Sequence, residues 1–95
     1  MAKDINNFFD EEGKLTQWPA KRAMQDAALA RLAQLFEPGR DYTELEVNAI
    51  LGGAHTFGDY FLLRRGLIES RWLCRTPDGS RYWKNPDREP DEARS

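Results

Sequence analysis

The sequence predicts one small α+β domain in the order of a winged helix-turn-helix: an N-terminal extended arm, three helices and a C-terminal β-hairpin. Three observations predict this fold. The 95 residues suffice for one domain with one modest core. Apolar residues recur at helical spacing in three segments between residues 20 and 70. A Pro-Asp-Gly-Ser turn at residues 77–80 then separates two short segments with strand character.

The first 37 residues are predicted to form an extended arm followed by the first helix. Residues 1–19 hold two adjacent phenylalanines that need burial, and an alternating segment from Lys14 to Trp18 that we expect to lie on the core. Pro19 stands just ahead of a run without glycine or proline, which favours a helix. We therefore predict a helix over residues 20–37, ended by a Pro-Gly pair.

The second helix has a strong start signal. Thr43 is a good N-cap, and Glu46 three residues later completes a capping box. Val47 and Leu51 belong to its predicted buried stripe. Two glycines at residues 52–53 predict a left-handed exit from the helix.

The third helix is predicted to begin at the N-cap Thr56, with Asp59 as its N3 residue, and to end near Ser70. A helical wheel groups six apolar side chains on one wide core face and leaves Leu62 on the opposite face. The six are Phe57, Tyr60, Phe61, Leu63, Leu67 and Ile68.

The same wheel separates two neighbouring arginines. Arg64 lies within the core sector, which predicts a partly buried ion pair with a carboxylate of the second helix. Glu44 and Glu46 are the candidates, and we assign the structural pair to Arg64 and Glu46. Arg65 lies at the edge of the sector, where it reaches solvent or a phosphate.

Two strands follow, at residues 72–76 and 81–84, and residues 40–42 are suited to a third strand beside them. The winged-helix domain is thus predicted to span residues 20–84. Residues 85–95 carry two prolines, many charges and no large apolar side chain, which predicts a disordered acidic tail.

Three stretches of the sequence resemble a known family: YTELEVNAIL, then His55 and Asp59, then LLRRGLIESRWLCRTPDGSRYW. They are similar to the bacterial domain-of-unknown-function family 2087. That family pairs a Y-[ST]-x-x-E-V-N helix start with a D-x-x-x-L-R-R-x-L helix and a G-x-x-Y hairpin. The resemblance runs from about Gly13 to Trp83 and implies a bacterial winged-helix-like domain, sometimes joined to a regulator-type helix-turn-helix. It implies no activity.

Several function classes find no support in the sequence. Cys74 is the only cysteine and His55 the only histidine, so an intrachain disulfide is impossible and a Cys/His zinc site is not expected. We expect Cys74 to be a buried, inert thiol on a strand. Nucleotide-binding and hydrolase motifs are missing. The acidic first residues and the absence of a long apolar run lead us to expect neither a signal peptide nor a transmembrane segment. We expect a cytoplasmic protein that is not an enzyme, with no cofactor, metal or membrane partner.

Two functions stay open. Residues 55–84 hold six basic and three acidic residues, although the whole chain has a net charge of −2. This local excess favours duplex DNA binding in transcription regulation, with four candidate contacts. These are Arg65, Arg75, Arg81 and Lys84.

The alternative is a protein-interaction or dimerisation module of a larger regulator, whose partner is another protein or a second copy of itself. The outer face of the predicted third helix supports it, because that face offers glycines, acids and Leu62 rather than donors to base edges.

Overall fold

The computed structural model describes residues 5–88, and it contains three α-helices and a small antiparallel sheet. The predicted α+β class and the element order are confirmed. A 3₁₀ turn at Ile5–Phe8 precedes α1 (Arg22–Ala33), β1 (Asp41–Tyr42), α2 (Glu44–Gly52), α3 (Tyr60–Glu69), β2 (Leu73–Arg75) and β3 (Tyr82–Lys84). The last seven residues of the predicted tail lie outside the described residues.

Helix α1 is shorter than predicted, beginning two residues later and ending four residues earlier than the expected span 20–37. Its last turn tightens, because Leu35 and Phe36 donate their N–H groups to carbonyls three residues back. The tightening places Phe36 in the core, where its ring meets that of Tyr42 edge-to-face at a centroid distance of 5.1 Å.

Helix α2 confirms the predicted capping box. Thr43 Oγ1 accepts the N–H of Glu46 at 3.1 Å, and Glu46 Oε1 accepts the N–H of Thr43 at 2.9 Å. The predicted left-handed exit is wrong, because Gly53 has a φ of −86°. The left-handed turn comes later, at Gly58, where φ is 73°.

Helix α3 begins at Tyr60, not after Thr56. Asp59 is the N-cap, and its Oδ1 accepts the N–H of Leu62 at 3.1 Å. A helix cannot continue from Thr56, because Gly58 has a φ of 73°, outside the helical region, and Thr56 instead lies against the arm, where its N–H donates to the carbonyl of Leu15 at 2.9 Å. The predicted start is therefore wrong by three residues.

The shorter helix presents a different face to the core. Leu63 and Leu67 are fully buried, as predicted. Tyr60 and Phe61 are 42% and 59% exposed, so their predicted place in the core is wrong. Leu62, predicted to be exposed, is half-buried.

The reason is a close approach of α1 to α3. A Cβ atom on Gly66 would lie 3.2 Å from both methyl groups of Leu29, which is itself 4% exposed. The missing side chain lets α1 pack against this side of α3. The core face therefore includes position 66, and the opposite side, with Phe61, turns to solvent.

The sheet has the strand order β1-β3-β2, which confirms the third strand predicted beside the hairpin. Tyr42, Leu73 and Tyr82 are buried against the helices. Cys74 pairs with Trp83 and is half-buried, because neighbouring residues of a strand point to opposite faces. The expectation of a buried thiol is wrong.

Both ends of the described chain pack on the domain. Leu15 is fully buried and donates its N–H to the carbonyl of Ala54 at 2.8 Å. At the other end, Asn85 donates its N–H to the carbonyl of Trp72, and the Arg88 guanidinium stacks 4.1 Å from the Trp72 ring centre. The packed chain thus extends through Arg88, beyond the predicted end of the domain at residue 84.

Candidate nucleic-acid interface

The solvent face of α3 carries Phe61, Arg65 and Glu69, which are spaced four residues apart and so share one side of the helix. Arg65 Nε donates to Glu69 Oε2 at 3.0 Å, and about two thirds of each side chain is exposed. An exposed pair of this kind contributes about 0.3–0.5 kcal/mol. Such a pair is weak enough for Arg65 to exchange Glu69 for another anion.

A groove of about 470 Å³ separates α3 from the hairpin. Arg65 and Arg75 lie on its two sides, and Arg64 contributes to its wall. Glu69 is the one carboxylate among the described residues that line it. The remaining lining residues are Phe61, Ile68 and Tyr82. Because Arg64 is paired with Glu44, the charges open to the groove are those of Arg65 and Arg75 against the one carboxylate of Glu69, a net positive charge that suits an anion.

Arg64 forms the inner support of this groove. Its side chain is 13% exposed and its Nη1 lies 3.1 Å from Glu44 Oε2, while the same nitrogen donates to Asn48 Oδ1. The ion-pair partner of Arg64 is therefore Glu44, and the assignment of Glu46 from the sequence is wrong. Glu46 is excluded because its carboxylate is engaged in the capping box.

The guanidinium of Arg64 also explains the outward position of Phe61. It lies 5.0 Å from the centre of the Phe61 ring, within the range of a cation–π contact. The contact keeps an exposed aromatic face beside Arg65 at the entrance of the groove. A flat ring beside a guanidinium is suited to stacking on a nucleic-acid base or packing against an apolar side chain.

Arg75 is held at the hairpin side of the groove. Its Nη1 donates to the carbonyls of Thr76 and Pro77 at 3.1 and 3.2 Å. These bonds fix one side of the guanidinium and leave its other donors free for a ligand.

The other two predicted contacts do not line this groove. Arg81 Nε lies 3.6 Å from Asp41 Oδ2, and its guanidinium lies 5.7 Å from the centre of the Trp83 ring. Lys84 pairs with Leu73 in the sheet and is half-buried. The structure thus brings Arg65 and Arg75 together and leaves Arg81 and Lys84 elsewhere.

The hairpin loop carries a fixed negative charge. Asp78 Oδ1 accepts hydrogen bonds from Thr76 Oγ1 at 2.8 Å and from the N–H and Oγ of Ser80 at 3.0 and 2.8 Å. These bonds, that from Thr76 first, lower the pKa of Asp78 from 3.8 to about 2. A phosphate is therefore disfavoured at the loop tip and favoured on the Arg75 side.

His55 sets the position of α3 from the turn before it. The ring is buried, its Nδ1–H donates to the Leu51 carbonyl at 2.6 Å, and its Nε2 accepts the Asp59 N–H at 2.7 Å. Both bonds require the neutral ring with the proton on Nδ1. His55 thus joins the end of α2 to the N-cap of α3.

A family of uncharacterised proteins conserved in bacteria, domain-of-unknown-function family 2087, matches residues 14–84. The chain belongs to this family. The match includes α3, the hairpin and the whole groove between them. Comparisons with curated proteins and with solved structures found no match.

Two further structural findings bear on the function of this member of family 2087. Within residues 5–88, no helix is long and apolar enough to cross a membrane. The same residues contain no cluster of three or more His, Cys, Asp or Glu side chains that could hold a metal ion.

Sequence reasoning missed the part that Phe61 and Glu69 play in the groove. The wheel placed Phe61 in the core because it counted Phe57, which precedes the helix, among the residues that define the core face. Taking Asp59 as the N-cap removes Phe57 from the helix, and an Asp side chain is a better cap than a Thr side chain.

Proposed function

We propose that this protein is a non-catalytic bacterial winged-helix protein of transcription regulation that binds duplex DNA through the groove between α3 and β2. The proposal depends on one observation: Arg65 and Arg75 come from different elements and line the same groove. The weakness of the Arg65–Glu69 pair supports it, because a phosphate can displace the carboxylate.

The groove favours contacts to the DNA backbone over contacts to base edges. Arg65 is the only solvent-facing α3 side chain among the described residues with strong donors for a guanine edge. We therefore expect weak sequence discrimination, with Arg65 and Arg75 on phosphates and Phe61 against a sugar or base.

The salt dependence of the DNA affinity reports how many phosphate groups the protein contacts. Two phosphate contacts give a slope of about −1.8 for log affinity against log salt, and four give about −3.6. Between about 50 and 200 mM salt, affinity then falls about 12-fold for two contacts and about 150-fold for four. We expect the smaller value, because Arg81 is paired with Asp41 and Lys84 is half-buried.

The experiment is fluorescence anisotropy of a labelled generic duplex at both salt concentrations. We expect the double variant Arg65→Ala/Arg75→Ala to lose salt-dependent binding. Arg81→Ala is the matched control, since it removes the same charge outside the groove and is expected to bind nearly as well as the unmodified protein. Absence of binding at low salt, or equal binding by the double variant, would refute the proposal.

A second candidate function, protein interaction, is favoured by exposed apolar side chains. Leu45 on α2 is 79% exposed and Phe61 is 59% exposed. Sedimentation velocity at rising concentration tests self-association through these side chains. A dimer that is lost in Leu45→Ser/Phe61→Ser, together with no DNA binding at low salt, would favour this function over the first.

A further inference from the structure

Within residues 5–88, no strand pairs with the outer edge of β2. The strand order places β2 at one side of the sheet, with β3 as its only strand neighbour among the described residues. Hydrogen-bonded pairs with the β3 side occur at positions 72 and 76. Because such pairs alternate with non-bonded ones in an antiparallel ladder, the backbone of Cys74 faces β3. The N–H and C=O groups of Leu73 and Arg75 therefore face outward.

A groove of about 450 Å³ follows this edge. The half-buried Ile68 gives it apolar surface above the fully buried Leu73, and Arg71 and Arg75 place two guanidinium groups along it. No carboxylate occurs among the described residues that line it. The edge thus combines unpaired backbone groups, apolar contact surface and uncompensated positive charge.

Arg71 occupies an unusual backbone position. Its φ is 68°, the only positive value for a non-glycine residue within residues 5–88. Glycine adopts this conformation at lower cost than arginine does. Asn85 Nδ2 donates to the carbonyl of Arg71 at 2.9 Å and holds the turn between α3 and β2. The turn places the exposed Arg71 at one end of the open edge.

We propose that the β2 edge binds an extended acidic segment of another protein by β-strand addition. The outward groups of Leu73 and Arg75 pair with the backbone of the added strand. Side chains two residues apart in a strand share a face, so an apolar residue opposite Leu73 places an acidic neighbour opposite Arg75. A second acidic residue on the other side lies toward Arg71.

The positive charge of the edge favours an acidic strand over the β2 strand of a second copy of this protein. A second copy brings its own pair of arginines to an edge that already carries two, and like charges across strands are destabilising. An acidic strand instead places carboxylates opposite Arg71 and Arg75, and opposite charges across strands are stabilising. The partner is therefore an acid-x-apolar-x-acid segment with β-forming residues between.

The test uses a fluorescein-labelled peptide of sequence TETVTET and its basic counterpart TKTVTKT, titrated with the full chain and followed by anisotropy. We expect TETVTET to bind and TKTVTKT not to bind. In ¹⁵N–¹H spectra, TETVTET is expected to shift the amide signals of Leu73 and Arg75 more than that of Cys74, because only the first two face the peptide.

Arg71→Gly tests the charge without risk to the fold, because glycine favours the left-handed conformation. We expect this variant to keep or raise the melting temperature and to bind TETVTET about 1.4- to fivefold more weakly, the range of one cross-strand charge pair. Arg71→Lys is expected to retain binding. Arg65→Ala serves as the second control, because Arg65 lies outside the edge groove and its loss affects only the DNA proposal.

Three results would overturn the inference. They are equal affinity for the acidic and basic peptides, unchanged affinity in Arg71→Gly, and a larger amide shift at Cys74 than at its two neighbours. Because Arg65→Ala separates the two sites, failure of DNA binding leaves this result interpretable.

Discussion

In the proposed DNA-binding function, the pair between Arg65 and Glu69 limits how much of the groove's positive charge is available to a phosphate. Replacing Glu69 with glutamine removes the only carboxylate among the described lining residues and keeps the shape of the side chain. We expect Glu69→Gln to bind duplex DNA more tightly than the unmodified protein does.

The magnitude follows from two contributions. Release of Arg65 from an exposed pair at 3.0 Å contributes about 0.4 kcal/mol. A phosphate on the far side of the guanidinium lies about 6–7 Å from the carboxylate, given ordinary charge-assisted hydrogen-bond lengths. Their repulsion in water is about 0.6 kcal/mol, reduced to about 0.3 by 0.1 M salt. Together these give about 0.7 kcal/mol, or about threefold in affinity.

Anisotropy with a labelled duplex at about 0.1 M salt measures this change. Glu37→Gln is the matched control, because Glu37 forms a similar local pair with Arg40 at 3.9 Å but lies outside the groove. We expect the control to change affinity by much less. Equal or weaker binding by Glu69→Gln, or an equal gain in Glu37→Gln, would refute the assignment of phosphate binding to this groove.

Three further predictions concern the fold that holds the groove. Thr43→Ala removes half of the capping box and is expected to lower the free energy of unfolding by about 1 kcal/mol in urea. Leu67→Ala empties a fully buried position on α3 and is expected to cost about 3–5 kcal/mol in the same assay. The carboxyl of Asp78 is expected to titrate at about pH 2 in ¹³C NMR spectra, because the hydrogen bond from Thr76 and those from the loop favour its charged form. Its contribution to stability is then complete above the ordinary pKa of 3.8 and is lost as the pH falls through about 2.

Each of these three predictions has a comparison variant that tests its physical reason. Thr43→Ser keeps a hydroxyl cap and should retain most of the stability, whereas a loss equal to that of alanine would argue against the capping box. Leu45→Ala removes the same atoms from a side chain that is 79% exposed and should change stability by less than about 0.5 kcal/mol. Thr76→Val should raise the pKa of Asp78 toward 3.8, and no rise would show that another bond dominates.

Interactions were predictable from the sequence wherever both partners lie within a few residues of each other. The capping box from Thr43 to Glu46 and the hairpin turn at residues 77–80 are of this kind, and both occur as expected. The same box agrees with the ion pair of Arg64, because the Glu46 carboxylate is bonded at its own helix start while Glu44 Oε2 lies 3.1 Å from Arg64 Nη1.

The start of α3 was not predictable in this way. Asp59 is the better N-cap of the two, but Thr56 with Asp59 at its N3 position also satisfies a partial capping box, so the local signals compete. The tertiary structure selects Asp59: the Thr56 N–H donates to the carbonyl of Leu15, some forty residues earlier in the chain, and Gly58 then takes a left-handed φ of 73° before the helix begins. His55 reinforces the choice by accepting the Asp59 N–H.

The sequence by itself determined the class of the fold, its element order, the capping box of α2 and the hairpin turn, because these depend on backbone preferences and neighbouring side chains. The tertiary structure decided which charges meet. Close packing of Leu29 against Gly66 turns Phe61 and Arg65 outward, and the register of the sheet brings Arg75 to the same groove while Arg81 pairs with Asp41. Such contacts depend on how distant elements pack, and no pattern within one element records them.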